Sequence, residues 1–199
     1  MALLSISGKI GSGKDTVAEI IKTISPYYNW EVKKFAYKLK VVANILTDIP
    51  ISNFEDQEFK KTLMSEEWGM THREFLQRLG TEAMRNGLHQ NTWVNALFAD
   101  YKIDSSNNYP NWIITDTRFI NEINAVSERN GIKIKIERDL FLRKGYVIPN
   151  ESDLHSSETS LDTYTNWDYI IYNNGDFDDL KKQVYNILLD LDLIKFSNL

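Results

Sequence analysis

A short, mostly apolar run, Leu3-Leu4-Ser5-Ile6-Ser7, gives way to a glycine-rich stretch, and then apolar residues return at helical spacing. Val17, Ile20, Ile21 and Ile24 fall at i, i+3, i+4 and i+7, and Pro26 stops the pattern, so strand, glycine turn and helix are expected in that order. Trp30 to Ala36 reads as a second strand. From Tyr37 a helix follows, with Leu39, Val42, Ala43 and Leu46 on one side. Residues 49–70 read as an irregular connection. Thr71 and Glu74 have the spacing of a capping box, so a helix starts there with Phe75, Leu76 and Leu79 as its apolar face. Gly80 interrupts that face and implies a kink or a close backbone approach.

Thr92 opens another helix, whose broad apolar face is Trp93, Val94, Leu97, Phe98 and Tyr101, and Trp93 reads as core. After a Ser- and Asn-rich loop comes a buried-type strand, Trp112 to Thr115. Its successor is a helix that ends at Asn130-Gly131. Ile132, Ile134 and Ile136 alternate with Lys133, Lys135 and Glu137 as in a half-exposed strand, closed by Arg138. Residues 139–165 show little apolar periodicity, which fits a lid or a flexible loop. Asp168 to Tyr172 is the last strand and Asn173-Asn174-Gly175 a tight turn. The closing helix carries Phe177, Leu180, Val184, Ile187, Leu188 and Leu191 on one face. About five strands alternate with helices, without internal repeats. The expected architecture is one three-layer α/β domain with a mainly parallel sheet and right-handed crossovers.

Composition narrows the function more than the fold. The 199 residues suffice for one sizeable core, and 42% apolar with 26% charged residues is ordinary for a globular chain. With a net charge of −5 and no dense Lys/Arg stripe, stable binding to duplex nucleic acid is disfavoured. The absence of cysteine excludes disulfides and thiolate metal sites. The opening Met-Ala-Leu-Leu is too short for a signal peptide, and no apolar stretch reaches membrane-span length, so a cytoplasmic protein with no membrane contact is expected.

The chemistry starts at Gly8-Lys9-Ile10-Gly11-Ser12-Gly13-Lys14-Asp15-Thr16. Glycines let the backbone wrap around a phosphate so that amides point inward; the helix N-terminus adds partial positive charge and Lys14 a full one. Between a strand and a helix this is a phosphate-binding P-loop, the mark of a nucleoside triphosphate site. The residue after Lys14 is Asp15, where such loops usually carry a Ser or Thr hydroxyl for Mg²⁺, and Thr16 comes one place late. Asp15 either starts the helix or, beside bound phosphates, faces Mg²⁺ or a neighbouring cation. Asp116 ends the strand before a helix, where open α/β sheets place ligands, or is simply the N-cap of that helix. Arg118 is a cation at a helix start, unfavourable there unless an anion is present. Lys40, near another helix start, and Arg73 with Gln77, one turn apart, are either solvated surface groups or cleft groups. Glu55, Asp56 and Glu58 lack calcium-loop spacing and read as solvated. His155 reads as a surface histidine.

Taken together, Ser12-Gly13-Lys14-Asp15-Thr16, Phe35-Ala36 with Leu39-Lys40, Phe75-Leu76-Gln77 with Leu79-Gly80-Thr81-Glu82, Trp93-Val94 with Asp100-Tyr101, Asp116-Thr117-Arg118 and Asn173-Asn174-Gly175 resemble, in order and spacing, the deoxynucleoside monophosphate kinases of tailed bacteriophages. In that family Asp is the usual residue after the P-loop lysine. The resemblance implies a P-loop kinase fold with a helical substrate-binding region at about residues 37–103 and a lid at about 139–165. It implies transfer of the γ-phosphoryl of ATP, with Mg²⁺, to a deoxynucleoside 5′-monophosphate. Lys9, Gly11, Ser12, Gly13, Lys14, Asp15 and Thr16 would hold the ATP phosphates, with Asp15 as a possible Mg²⁺ contact. Arg138 would assist them, as would the lid cations Arg143 and Lys144, and Asn173 to Gly175 would lie near the adenine. Lys40, Arg73 and Arg118 would meet the acceptor phosphate and the transferring group. Gln77, Arg85 and Trp93 would line the acceptor pocket, with Asp15 or Asp116 orienting the nucleophile. A homodimer is common among such kinases. His155 and Glu158 match a family pattern without an assigned role. Two other functions share these features: a P-loop kinase of another small acceptor (dephospho-coenzyme A or phosphomevalonate), and a nucleotide-driven switch that phosphorylates nothing.

Overall fold

The computed structural model describes residues 2–142 and 155–194. In chain order its first elements are β1 (Leu3–Ser7), α1 (Lys14–Ile24), β2 (Glu31–Lys33), α2 (Tyr37–Thr47), α3 (Gln57–Lys61) and α4 (His72–Gln77). A π-helical stretch (Arg78–Leu88) leads to α5 (Thr92–Phe98) and β3 (Trp112–Ile114). The remainder is α6 (Ile120–Ser127), β4 (Ile132–Glu137), α7 (Ser156–Thr159), β5 (Tyr169–Tyr172) and α8 (Phe177–Asp190). The chain divides into two compact units, one of residues 1–34 and 101–199 and the other of residues 35–100.

The first unit is built on a five-stranded sheet in the order β2-β3-β1-β4-β5, with every neighbouring pair parallel. All five residues of β1 are buried, as expected of a central parallel strand covered on both faces. Leu4 and Ile6 point into a core with Val17, Ile20 and Ile21 of α1 and Leu180, Val184 and Leu188 of α8. Leu3, of opposite parity, lies near Val126 of α6; a side chain at Gly131 would strike both. Helices therefore cover both faces, giving the three-layer α/β fold. The order leaves the carboxyl end of central β1 feeding the glycine loop, where such sheets place ligands.

Several elements depart from the sequence expectation. The second strand is only Glu31–Lys33, because Trp30 turns into the core and donates its indole N–H to Ser25. β4 is an inner strand, not a half-exposed one. Lys133 is buried on the face away from α1 and α8, its Nζ 3.5 Å from Asp168. Phe177 begins α8 but is exposed. Tyr101 lies beyond α5 and stacks on Tyr109 at 4.9 Å. The left-handed residue after α6 is Asn130, at φ 54°, while Gly131 is required by space: a Cβ there would lie 2.5 Å from Val126 Cγ1. The outer edge of β5 is capped at Tyr172, whose N–H and C=O both bond the Gln183 side chain of α8 at 3.0 Å.

The second unit is helical. Ala43, Phe54 and Phe75 form its core, with Met64, Met70, Leu76 and Leu79 packed around them. The capping box holds: Thr71 Oγ1 accepts the Glu74 N–H and Glu74 accepts the Thr71 N–H, each at 3.2 Å. On α2 the buried positions are Lys40 and Ala43, whereas Leu46 is exposed. Gly80 makes the close approach its position implied. A Cβ there would lie 2.9 Å from Leu39 Cδ2, and its carbonyl accepts the Trp93 indole N–H at 2.9 Å.

Candidate active site

The glycine loop joins β1 to α1. Gly11 at φ 73° and Gly13 at φ 102° take left-handed conformations that only glycine adopts cheaply. A Cβ on Gly8 would lie 2.7 Å from the Ile136 carbonyl, so backbone packs against backbone there. Gly13 is the N-cap of α1 and supplies no side-chain acceptor to the first-turn amides. Ser12 Oγ is fully buried and meets no hydrogen-bond partner among the described residues. Amides without a side-chain acceptor, an unsatisfied buried hydroxyl and a helix N-terminus together fit an anionic group such as a phosphate.

The cations follow. Lys14 Nζ curls back to donate to the carbonyls of Gly8 (2.6 Å) and Lys9 (2.9 Å). Lys9 pairs with Asp162 and also donates to the Glu158 carbonyl. Asp15 is exposed in the first turn of α1, 3.5 Å from Lys34, so the carboxylate that follows the P-loop lysine has a cation beside it. Asn173, buried at the end of β5, donates its amide to the Ser12 carbonyl at 2.8 Å and props the loop from below.

Asp116, Thr117 and Arg118 follow β3. Thr117 Oγ1 is hydrogen-bonded to Ser5 Oγ of β1 at 2.7 Å. Asp116 is not the N-cap of α6, which begins at Ile120. The buried Glu122 carboxylate instead accepts the N–H groups of Arg118 (2.7 Å) and Phe119 (3.1 Å), compensating the helix start. The Arg118 guanidinium donates to the Ser157 carbonyl at 3.3 Å and pairs with Glu158. These groups border a cleft of about 500 Å³, lined by Gly8, Lys9, Arg118, Arg138, Glu158 and Tyr172 among others. Asn174, next to Gly175 in the turn after β5, also lines it and accepts the Asp139 N–H at 2.8 Å.

The first unit thus gathers Lys9, Gly11 to Thr16, Asp116, Arg118, Arg138, Asn173 and Gly175 at the carboxyl ends of its strands. Arg143 and Lys144 lie outside the described residues. The acids that meet Lys9 and Arg118, namely Asp162 and Glu158, carried no periodic signal in the sequence. Asp162 is hinted at only by its place in a Ser/Thr-rich stretch without a core face, and Glu158 also by the family pattern it shares with His155.

The remaining candidates belong to the second unit. Lys40 is buried and 2.5 Å from Glu55, so it is no solvated lysine and the acidic cluster has a specific partner for one member. Arg73 Nη2 bonds Gln57 at 3.2 Å, Arg85 is buried, and Gln77 is half-buried on α4. Trp93 is core and its N–H is committed to Gly80. The sequence did not single out His72, which is buried with Nδ1 3.0 Å from the Thr62 carbonyl and its ring 4.1 Å from Phe59.

A parallel β2-β3-β1-β4-β5 sheet whose central strand opens a glycine loop with a lysine at the helix start defines a P-loop kinase fold. The family model described as deoxynucleotide monophosphate kinase matches residues 29–184, over three quarters of the chain, and the chain belongs to that family. The match begins after the glycine loop and so does not rest on it.

Among relatives, a protein of Acanthamoeba polyphaga mimivirus provisionally named a deoxynucleotide monophosphate kinase is 29% identical over 195 residues, covering 92% of this chain and 94% of its own. The deoxynucleotide monophosphate kinase of Enterobacteria phage T4 is 28% identical over 148 residues, covering 74% of this chain and 52% of its own, so the match spans about half of that relative. Solved structures with similar outlines include the shikimate kinase of Aquifex aeolicus (TM-score 0.47, 12% identity, 95% of each chain). Another is the thymidylate kinase of Candida albicans (TM-score 0.42, 16% identity, 96% of this chain and 92% of that one). The strand order and register define the fold without them. No helix among the described residues is long and apolar enough to cross a membrane.

Proposed function

We infer that the protein transfers the γ-phosphoryl group of ATP to a deoxynucleoside 5′-monophosphate, giving the diphosphate and ADP. The observation that carries this reading is the glycine loop with its buried, unsatisfied Ser12 hydroxyl and Lys14, in a chain of the deoxynucleotide monophosphate kinase family. Lys14 would exchange its present carbonyl partners for the β- and γ-phosphates, to which the amides of Gly11 to Thr16 would also donate. Phosphoryl transfer needs little covalent help. Charge spreads over the equatorial oxygens of the moving group, and Arg118 would meet it there while the surrounding protein excludes water. Asp15, now beside Lys34, would face Mg²⁺ directly or through water once phosphates are bound, and the ion would neutralise phosphate charge there. Arg138, lining the cleft, would contact the phosphates from the sheet side, and Asn174 and Gly175 of the turn after β5 would border the base while Asn173 braces the loop beneath.

On the second unit Lys40 and Arg73 would hold the acceptor phosphate, and Gln77 and Arg85 the base. Trp93, with its N–H already used, would offer only its ring. Asp116 would orient the acceptor oxygen. The small-molecule acceptor, without nucleic acid or membrane, suits an acidic chain acting in the cytoplasm, as a monomer or a homodimer.

The test is ADP production from Mg-ATP with dAMP, dGMP, dCMP and dTMP, and with the ribonucleotides. Turnover that depends on a deoxynucleotide supports the reading and ranks the bases. Lys14→Ala and Arg118→Ala are each expected to lower kcat by about 10²–10³-fold, roughly 3–4 kcal/mol of transition-state stabilisation. ATP binding without turnover on any monophosphate would instead favour another acceptor or a switch.

A further inference from the structure

We propose that Glu158 is a positioning residue that holds the Arg118 guanidinium ready for the phosphoryl group, a role that rests on the kinase reading above. The relevant segment starts at His155, the N-cap of the four-residue α7. Its Nδ1 accepts the Ser157 N–H at 3.2 Å and lies 3.0 Å from Ser157 Oγ. That cap turns the chain so that two successive residues meet Arg118: the Ser157 carbonyl at 3.3 Å and the Glu158 carboxylate in an ion pair. The Glu158 side chain is only 12% exposed, against 75% for Asp15 and 50% for Asp162, so water screens this pair least of the three.

The far side of the segment is fixed independently. Lys9 of the glycine loop pairs with Asp162 and donates to the Glu158 carbonyl, so the backbone that carries the carboxylate is tied to the loop. The Arg118 backbone N–H is held by the buried Glu122. An arginine anchored at its backbone and at its guanidinium has surrendered most of its rotamer freedom before substrate arrives. Its fork can then stabilise developing charge without reorganising. Seen this way, His155 shapes the turn that presents Glu158, and Glu158 acts through Arg118.

Steady-state kinetics on wild type, Glu158→Gln, Glu158→Asp, Arg118→Ala and the double variant Glu158→Gln/Arg118→Ala test the proposal. Glu158→Gln should lower kcat by about tenfold or more while KM for ATP stays within about twofold, and Glu158→Asp should recover part of the loss. In the Arg118→Ala background Glu158→Gln should have no further effect, because the residue acts through the missing guanidinium. His155→Ala should reproduce the kcat loss, and His155→Asn, which keeps an N-cap acceptor, should reverse it; this pair serves if Glu158→Gln does not fold. Unchanged kcat in Glu158→Gln, or losses that multiply in the double variant, would overturn the proposal. So would a lower KM for ATP with kcat kept, which would make Glu158 a competitor of the phosphates. Wild type inactive with every monophosphate would instead defeat the kinase reading, and this inference with it, an outcome distinct from an active wild type beside an equally active Glu158→Gln.

Discussion

Asn173 shows how a residue's place in the fold separates two roles that its position in the chain cannot. Following a strand and preceding Gly175, it reads as a group near the adenine. In the structure its amide is buried and donates to the Ser12 carbonyl, and a Cβ on Gly13 would lie 2.5 Å from the same nitrogen. The side chain is thus a brace under the glycine loop. Asn173→Asp keeps the size but exchanges the donor for a carboxylate facing a carbonyl, leaving a buried acceptor without its hydrogen bond. Affinity for ATP and for inorganic tripolyphosphate, measured by calorimetry, is expected to fall together by about tenfold or more. Tripolyphosphate has no base. Weaker ATP binding with undiminished tripolyphosphate binding would assign Asn173 to the adenine after all.

At the scale of elements, the sequence was most legible where one physical signal acted alone. The capping box at Thr71 and Glu74, the central β1 and the P-loop helix follow from spacing, because each is a local pattern with a local cause. β4 differs from its sequence pattern for a physical reason. An apolar/lysine alternation describes an exposed face equally well as an inner strand whose lysine is paired, and the Asp168 that meets Lys133 lies 35 residues away. Glu158 and Asp162 are illegible as partners of Arg118 and Lys9 on the same grounds: a four-residue helix and the turn after it have no periodicity to detect.

Gly80 lies between these cases. The break in the pattern implied a close approach, but not that the chain continues as a π-helical stretch, nor that Trp93 closes onto the glycine carbonyl. Trp93→Phe keeps most of the packing and removes the donor to a buried carbonyl, so it is expected to cost about 1–3 kcal/mol in urea unfolding. A loss near zero would mean that water replaces the indole N–H. Gly80→Ala should change stability by less than about 1 kcal/mol, since the new methyl meets only the flexible terminus of Leu39 and its displacement offsets the gain of Ala over Gly in a helical stretch.

For the molecule as a whole, net charge and the phenols of Tyr169 and Tyr101 both bear on how it meets alkaline pH. Burial, then the hydrogen bond to Asp190, pushes the Tyr169 phenol up to about 12, and that bond ties β5 to α8 at the edge of the sheet. Burial likewise raises Tyr101, which stacks on Tyr109 and meets Trp112 at a tilt beside the start of β3. The folded-state value of Tyr169 lies above its ordinary value of 10.0, so the folded protein holds the proton more tightly than the unfolded chain. The stabilisation is therefore complete below about pH 10 and is lost as pH rises towards 12, where the unfolded state has released its proton and the folded state must follow. A chain already at −5 meets growing self-repulsion over the same interval, which affects every variant alike. The contribution of one phenol is thus read as a difference. Urea midpoints at pH 8, 10 and 11.5 should fall further for the wild type than for Tyr169→Phe, with the gap opening only above pH 10. Parallel curves from pH 8 to 11.5 would show that the Tyr169–Asp190 contact does not hold the proton, and that alkaline loss comes from net charge alone.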